Sequence, residues 1–207
     1  MTINEAIKKG MIELKNSNIE SPKLKSRLLM QYILKQTRQY IIVNDLNQIS
    51  KKDEERYFVE ISRLRAGVPL EHITHQREFM KLNFYINENV LIPRQDTEIL
   101  VEEVINIAKR IKNPKILDLC TGSGAIAVSL AKYLPESEIT ATDISNKALE
   151  VAKKNAKMNE VENRITFISS DLFTNIPEEK YDIIVSNPPY IKRNVIGTFD
   201  EQVRKVP

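Results

Sequence analysis

The run Asp182-Ile183-Ile184-Val185-Ser186-Asn187-Pro188-Pro189-Tyr190 is β-branched and apolar until it stops at a polar residue followed by two prolines. β-Branched residues in series favour a buried strand. Pro188 and Pro189 have no backbone donor, fix φ, and push the residue before them out of helical space. The pattern predicts Asn187 at the C-terminal end of a strand with its amide presented outward, the place where open α/β sheets bind ligands.

A second constellation lies upstream. Lys115 to Leu119 reads as a short apolar strand that runs through Asp118 into Cys120-Thr121-Gly122-Ser123-Gly124-Ala125-Ile126-Ala127, then into a helix with Ile126, Leu130 and Leu134 inward. Gly122 and Gly124 can take positive φ and bring backbone N–H groups close to a ligand, while the helix N-terminus adds partial positive charge. The next strand, Glu138 to Thr142, runs into Asp143, about 20 residues after Gly122, the place of a carboxylate that accepts ribose hydroxyl protons. Ser145 caps a helix carrying Ala148, Leu149, Ala152 and Ala156, and a third strand, Arg164 to Ser169, leads to Asp171-Leu172-Phe173. Acidic residues at successive strand ends in β-α-β-α-β order point to an adenosine-type ligand, with a nicotinamide dinucleotide and S-adenosylmethionine both compatible. The spacing Gly122-x-Gly124-x-x-Ala127 suits a pyrophosphate, whereas hydride transfer has no evident use for Asn187-Pro188-Pro189-Tyr190.

These residues must be held by flanking elements. Before Gly67 the chain reads as helices: Thr2 and Glu5 make a capping-box pattern, Ser21-Pro22 starts a second helix, Tyr40 to Leu46 is a short third, and Ser50 opens a fourth that ends at Gly67. This small bundle is open to two readings, substrate recognition or a packing appendage. Between Glu78 and Ile92 the period becomes two (Phe79, Leu82, Phe84, Ile86), with Asn87-Glu88-Asn89 as the expected hairpin turn before Val90-Leu91-Ile92. Asp96 or Thr97 is the expected N-cap of the helix carrying Leu100, Val101, Val104 and Ile105. The domain reading is 1–75 helical, 76–95 hairpin linker and 96–207 catalytic.

The 207 residues are 42% hydrophobic, enough for a core, and contain one Cys, which excludes an internal disulfide and makes a cytoplasmic location the expectation. No stretch approaches the roughly 18 apolar residues of a membrane helix, so no membrane association is expected. The net charge of +3, from 31 basic and 28 acidic residues, does not call for a nucleic-acid partner. His72 and His75 lack a Cys or clustered carboxylates nearby, and no metal site is expected.

Taken together, Gly67-Val68-Pro69-Leu70, Arg77-Glu78-Phe79, Leu91-Ile92-Pro93-Arg94-Gln95-Asp96-Thr97-Glu98, Asp118-Leu119-Cys120-Thr121-Gly122-Ser123-Gly124, Asp143 and Asn187-Pro188-Pro189-Tyr190 make the chain resemble the peptide-chain release factor glutamine N5-methyltransferases, class I enzymes dependent on S-adenosylmethionine. The last motif is shared with methyltransferases acting on adenine amino groups, so it specifies only an amide or amino nitrogen. Pro93 to Glu98 and the helical domain narrow the choice to the release-factor branch. The resemblance implies a Rossmann-like sheet in which Cys120, Thr121, Gly122, Ser123 and Gly124 line the methionine end of the cofactor, Asp143 the ribose, and Asp171 with Leu172 the adenine. Asn187 would face cofactor and substrate, with Pro188, Pro189 and Tyr190 completing a catalytic clamp. Cys120 stands where many relatives have Gly and is expected to contribute only backbone. The implied partner is a release factor whose Gly-Gly-Gln loop enters the pocket, docked by the helices and hairpin. An adenine methyltransferase and an inactive binding fragment remain the alternatives. Only four strands can be placed, fewer than the family's sheet, so a C-terminally truncated catalytic domain with its fourth strand at an exposed edge is the expectation.

Overall fold

The computed structural model describes residues 1–189, so Tyr190 lies outside the described residues. The chain divides into two compact units, Met1–Thr74 and His75–Pro207.

The first unit is helical: α1 (Ile3–Asn16), α2 (Pro22–Leu34), α3 (Arg38–Val43), α4 (Lys51–Arg65) and α5 (Leu70–Thr74). At α1 the Glu5 N–H donates to Thr2 Oγ1 and the Thr2 N–H to the Glu5 carboxylate, a reciprocal capping box. Ser50 caps α4 through the Asp53 N–H. Ser21 forms no such bond; its φ is 51°, and the chain enters α2 through Pro22 in the first turn. The short α5 carries no periodic signal of its own and follows directly on Pro69, whose carbonyl accepts from His72 and Ile73 N–H. Leu14, Leu29, Met30, Tyr57 and Ile61 are fully buried and form the centre of this unit's core.

The second unit begins with a hairpin of β1 (Gln76–Phe79) and β2 (Leu82–Tyr85), followed by α6 (Asp96–Ala108), β3 (Lys115–Leu119), α7 (Ala125–Tyr133), β4 (Glu138–Asp143), α8 (Asn146–Met158), a 3₁₀ turn at Glu162–Arg164, β5 (Ile165–Ser169) and β6 (Ile183–Ser186). The hairpin turns earlier than the sequence suggests. Phe79 pairs with Leu82, and Met80 and Lys81 make the turn with φ of 49° and 57°, the double left-handed geometry of a two-residue hairpin loop. Neither residue favours that region. Contacts distant in sequence hold it: the Met80 N–H donates to Glu98 Oε1 at 2.7 Å, and the Met80 carbonyl accepts from the Tyr133 hydroxyl at 2.6 Å. Asn87 forms instead a local Asx turn, its side-chain oxygen accepting from the Asn89 N–H.

The remaining strands form a parallel sheet in the order β5-β4-β3-β6. Ile116, Val128, Leu130, Ile139, Ala141 and Val185 belong to one core together with Phe79, Phe84 and Val101. Among the described residues β6 is an edge strand. It is not buried throughout, because Val185 is 3% exposed but Ile184 is 55% exposed. The N-cap of α6 is Gln95, which makes no side-chain cap bond; Asp96 and Glu98 sit inside the first turn, where negative charge complements the helix dipole.

Candidate active site

Because every pair in the four-stranded sheet is parallel, all its C-terminal strand ends share one edge. From β3 the chain moves to β4 and β5 on one side and then returns to β6 on the other. The reversal places a topological switch point between β3 and β6, the crevice where such sheets bind ligands. Cys120 to Gly124 leave the end of β3, Asn187 leaves the end of β6, and Leu119 and Ser186 are register partners. The Ser186 hydroxyl donates to the Leu119 carbonyl at 2.9 Å, fastening the two ends together.

The glycine turn is built by bonds to side chains. Asp118 is fully buried; its Oδ2 accepts from the Thr121 hydroxyl at 2.6 Å and from the Ala127 N–H at 3.2 Å. Its Oδ1 is buried without a partner among the described residues. Burial pushes the Asp118 carboxyl up to about 7, opposed by those two bonds and reinforced by the charge of Asp143. The Thr121 N–H donates to the Thr142 carbonyl at 2.8 Å, joining the turn to β4. Gly124, with φ of 78°, starts α7, and a Cβ there would lie 3.0 Å from the Ala152 Cβ, so only glycine lets α7 approach α8 this closely. Gly122 differs: its φ is 54°, and a Cβ would meet nothing within 4 Å. The backbone there faces open space.

Asp143 ends β4. Its Oδ2 accepts from the Gly122 N–H at 2.8 Å and its Oδ1 from the Ser145 N–H at 2.9 Å, which fixes the carboxylate while leaving each oxygen a further lone pair. Asp171 and Leu172 follow β5 and are exposed; Leu172 has φ of 48°, and its carbonyl accepts from the Ser170 hydroxyl at 2.8 Å. Cys120 is half-buried with φ of 60°, so a β-carbon occupies a left-handed position that suits glycine. Burial pushes its thiol up, and the charge of Asp143 adds to this; the thiolate needed for nucleophilic chemistry is thereby disfavoured.

Asn187 is half-buried, and Pro188 and Pro189 are exposed beyond it. Its side-chain Nδ2 donates to Thr97 Oγ1 in the first turn of α6 at 3.2 Å. Asn155, in the middle of α8, carries no sequence signal. It is completely buried, donates to the carbonyls of Ser123 at 2.8 Å and Tyr85 at 3.0 Å, and accepts from the Tyr85 N–H at 2.7 Å. One carboxamide thus joins the glycine turn to the hairpin. Asn155 is the structural contributor that the sequence does not single out, and the contacts of Thr97 with Asn187 and of Glu98 with Met80 are equally unforeseen, since these partners are distant along the chain.

An adenosine-bearing sulfonium cofactor fits these residues. Gly122 presents its backbone to open space, and the fixed Asp143 carboxylate retains acceptor capacity. Residues 95–201 match the methyltransferase small domain and residues 5–74 the PrmC N-terminal domain. The release factor glutamine methyltransferase of Clostridium acetobutylicum is 39% identical over 206 residues, covering 99% of this chain and 72% of that protein. Its counterpart from Moorella thermoacetica is 36% identical over 207 residues, covering 100% and 73%, and a bifunctional methyltransferase of Rickettsia bellii is 36% identical over 219 residues, covering 93% and 39%. With both halves of the chain matched and identity sustained from end to end, this chain belongs to the release factor glutamine methyltransferases, which are dependent on S-adenosylmethionine.

Proposed function

We propose that this chain methylates the side-chain amide nitrogen of the glutamine in the Gly-Gly-Gln motif of a peptide-chain release factor. The observation that carries the reading is the position of Asn187, at the strand end facing the switch point, with its Nδ2 engaged and its Oδ1 without a partner among the described residues.

A carboxamide nitrogen is a poor nucleophile because its lone pair is delocalised into the carbonyl. The site therefore acts by holding rather than by strong base catalysis. Asn187 Oδ1 and the Pro188 carbonyl each accept one N–H of the substrate amide, orient the nitrogen, and stabilise the positive charge that develops on it. Pro188 and Pro189 stiffen this arrangement. S-Adenosylmethionine, when bound, supplies an electrophilic methyl group. Thr121, Gly122, Ser123 and Gly124 would hold its methionine end, with the Ser123 carbonyl already engaged by Asn155. Asp143 receives the ribose hydroxyls, and Asp171 with Leu172 borders the adenine. The N-terminal helices and the β1–β2 hairpin dock the release factor.

The test is methyl transfer from labelled S-adenosylmethionine with a release factor and nucleic acid offered side by side. Label on the release factor, mapped to the Gly-Gly-Gln glutamine by mass spectrometry, is the expected result; label on adenine would overturn it. Asn187→Ala should raise the barrier by about 2–4 kcal/mol, the cost of deleting one preorganised polar group. A purified mutant turning over at the normal rate removes Asn187 from the mechanism.

A further inference from the structure

Thr97 belongs to the Pro93 to Glu98 segment, where it was expected to cap a helix. It does not cap α6. Its hydroxyl instead accepts the Nδ2–H of Asn187 at 3.2 Å, across 90 residues of sequence. Thr97 is itself well anchored: its N–H donates to the Arg94 carbonyl at 3.1 Å, and the adjacent Glu98 carboxylate holds the Met80 N–H at 2.7 Å.

A carboxamide has two chemically opposite ends, an oxygen that only accepts and an NH₂ that only donates. The substrate amide offers N–H groups, so the clamp works in only one of the two flipped orientations of Asn187. In the other, donor would face donor. Resting on the amide-clamp reading above, we propose that Thr97 is the positioning residue that satisfies the Asn187 NH₂ when the Asn187 oxygen faces the substrate nitrogen. A hydroxyl can accept or donate, so the choice of orientation comes from the substrate N–H groups, which need Oδ1 turned toward them, and Thr97 supplies the acceptor which that orientation requires at its other end. Without the hydroxyl the productive orientation leaves the NH₂ without this bond and is held less firmly.

The test compares Thr97→Val, which keeps the branched shape and removes the hydroxyl, with Thr97→Ser, which restores it. In the full chain, T97V should lower kcat about tenfold, one hydrogen bond's worth of orientation, while KM for the release factor and affinity for S-adenosylmethionine stay within about twofold. T97S should recover most of the loss. A second measurement is independent of turnover: the side-chain NH₂ resonances of Asn187, identified by their absence in Asn187→Ala, should exchange with water faster in T97V than in wild type. Unchanged kcat in T97V, equal losses in T97V and T97S, or unchanged exchange would each overturn the proposal. If the wild-type chain labels no glutamine, the clamp reading itself fails. The exchange measurement then decides alone whether Thr97 holds Asn187.

Discussion

Asp118 shows how a single residue is shaped by its place in the strand. It sits in an otherwise apolar strand, spends one oxygen on Thr121 and Ala127, and is pushed up to about 7 chiefly by burial. The folded carboxyl therefore binds its proton more tightly than the unfolded one, whose ordinary value is 3.8. Its contribution to stability is complete below that value and is lost as pH rises through about 7. Asp118→Asn, which cannot ionise, should accordingly lose less stability between those two pH values in urea denaturation than wild type does. An identical slope in the mutant would exclude Asp118 as its source. Asp143 is doubly bonded to the turns on either side of it, so Asp143→Ala should weaken S-adenosylmethionine binding before it affects methyl transfer. Isothermal titration showing wild-type affinity would remove the ribose assignment. The sequence marks Asp143 as a candidate ribose carboxylate but not as a brace for Gly122, because the brace depends on backbone geometry in a turn.

Among the elements, the four parallel strands were legible to within about a residue, since short apolar runs ending in polar or turn residues have few other interpretations. The hairpin was not. Met80 and Lys81 are poor turn residues by composition, and their left-handed conformations are sustained by Glu98 and Tyr133, whose approach is a tertiary event. The Asn-rich segment Asn87 to Asn89 is a stronger local signal, yet it forms only a small side-chain turn after β2. Asn155 was invisible for a similar reason: an asparagine within a helix looks like a neutral surface residue until its three partners are known. Asn155→Ala should cost about 3 kcal/mol, because it leaves a buried donor and two acceptors without partners. Chemical denaturation measures this directly, and a loss below about 1 kcal/mol would mean that water replaces the carboxamide.

At the scale of the molecule, the chain is two compact units, Met1–Thr74 and His75–Pro207, with separate cores centred on Tyr57 and on the β3–β4 region. All the candidate site residues lie in the second. The class of fold was legible because glycine turn, acidic strand ends and strand-terminating prolines recur in order along one half of the sequence. The pairing of β6 beside β3 was not encoded locally, since strand order follows from how the crossovers pack. No helix among the described residues is long and apolar enough to cross a membrane. The Asn155 linkage also makes the Tyr85 backbone amide a remote reporter. That N–H donates to the same side chain whose other end grips Ser123, so any shift of the Ser123 carbonyl on binding of the methyl donor would be passed to it through one carboxamide. A change in its amide signal on titration with S-adenosylmethionine is the expected outcome, read from the hairpin and not from the site itself; an unmoved signal at saturating cofactor would mean that the glycine turn stays in place.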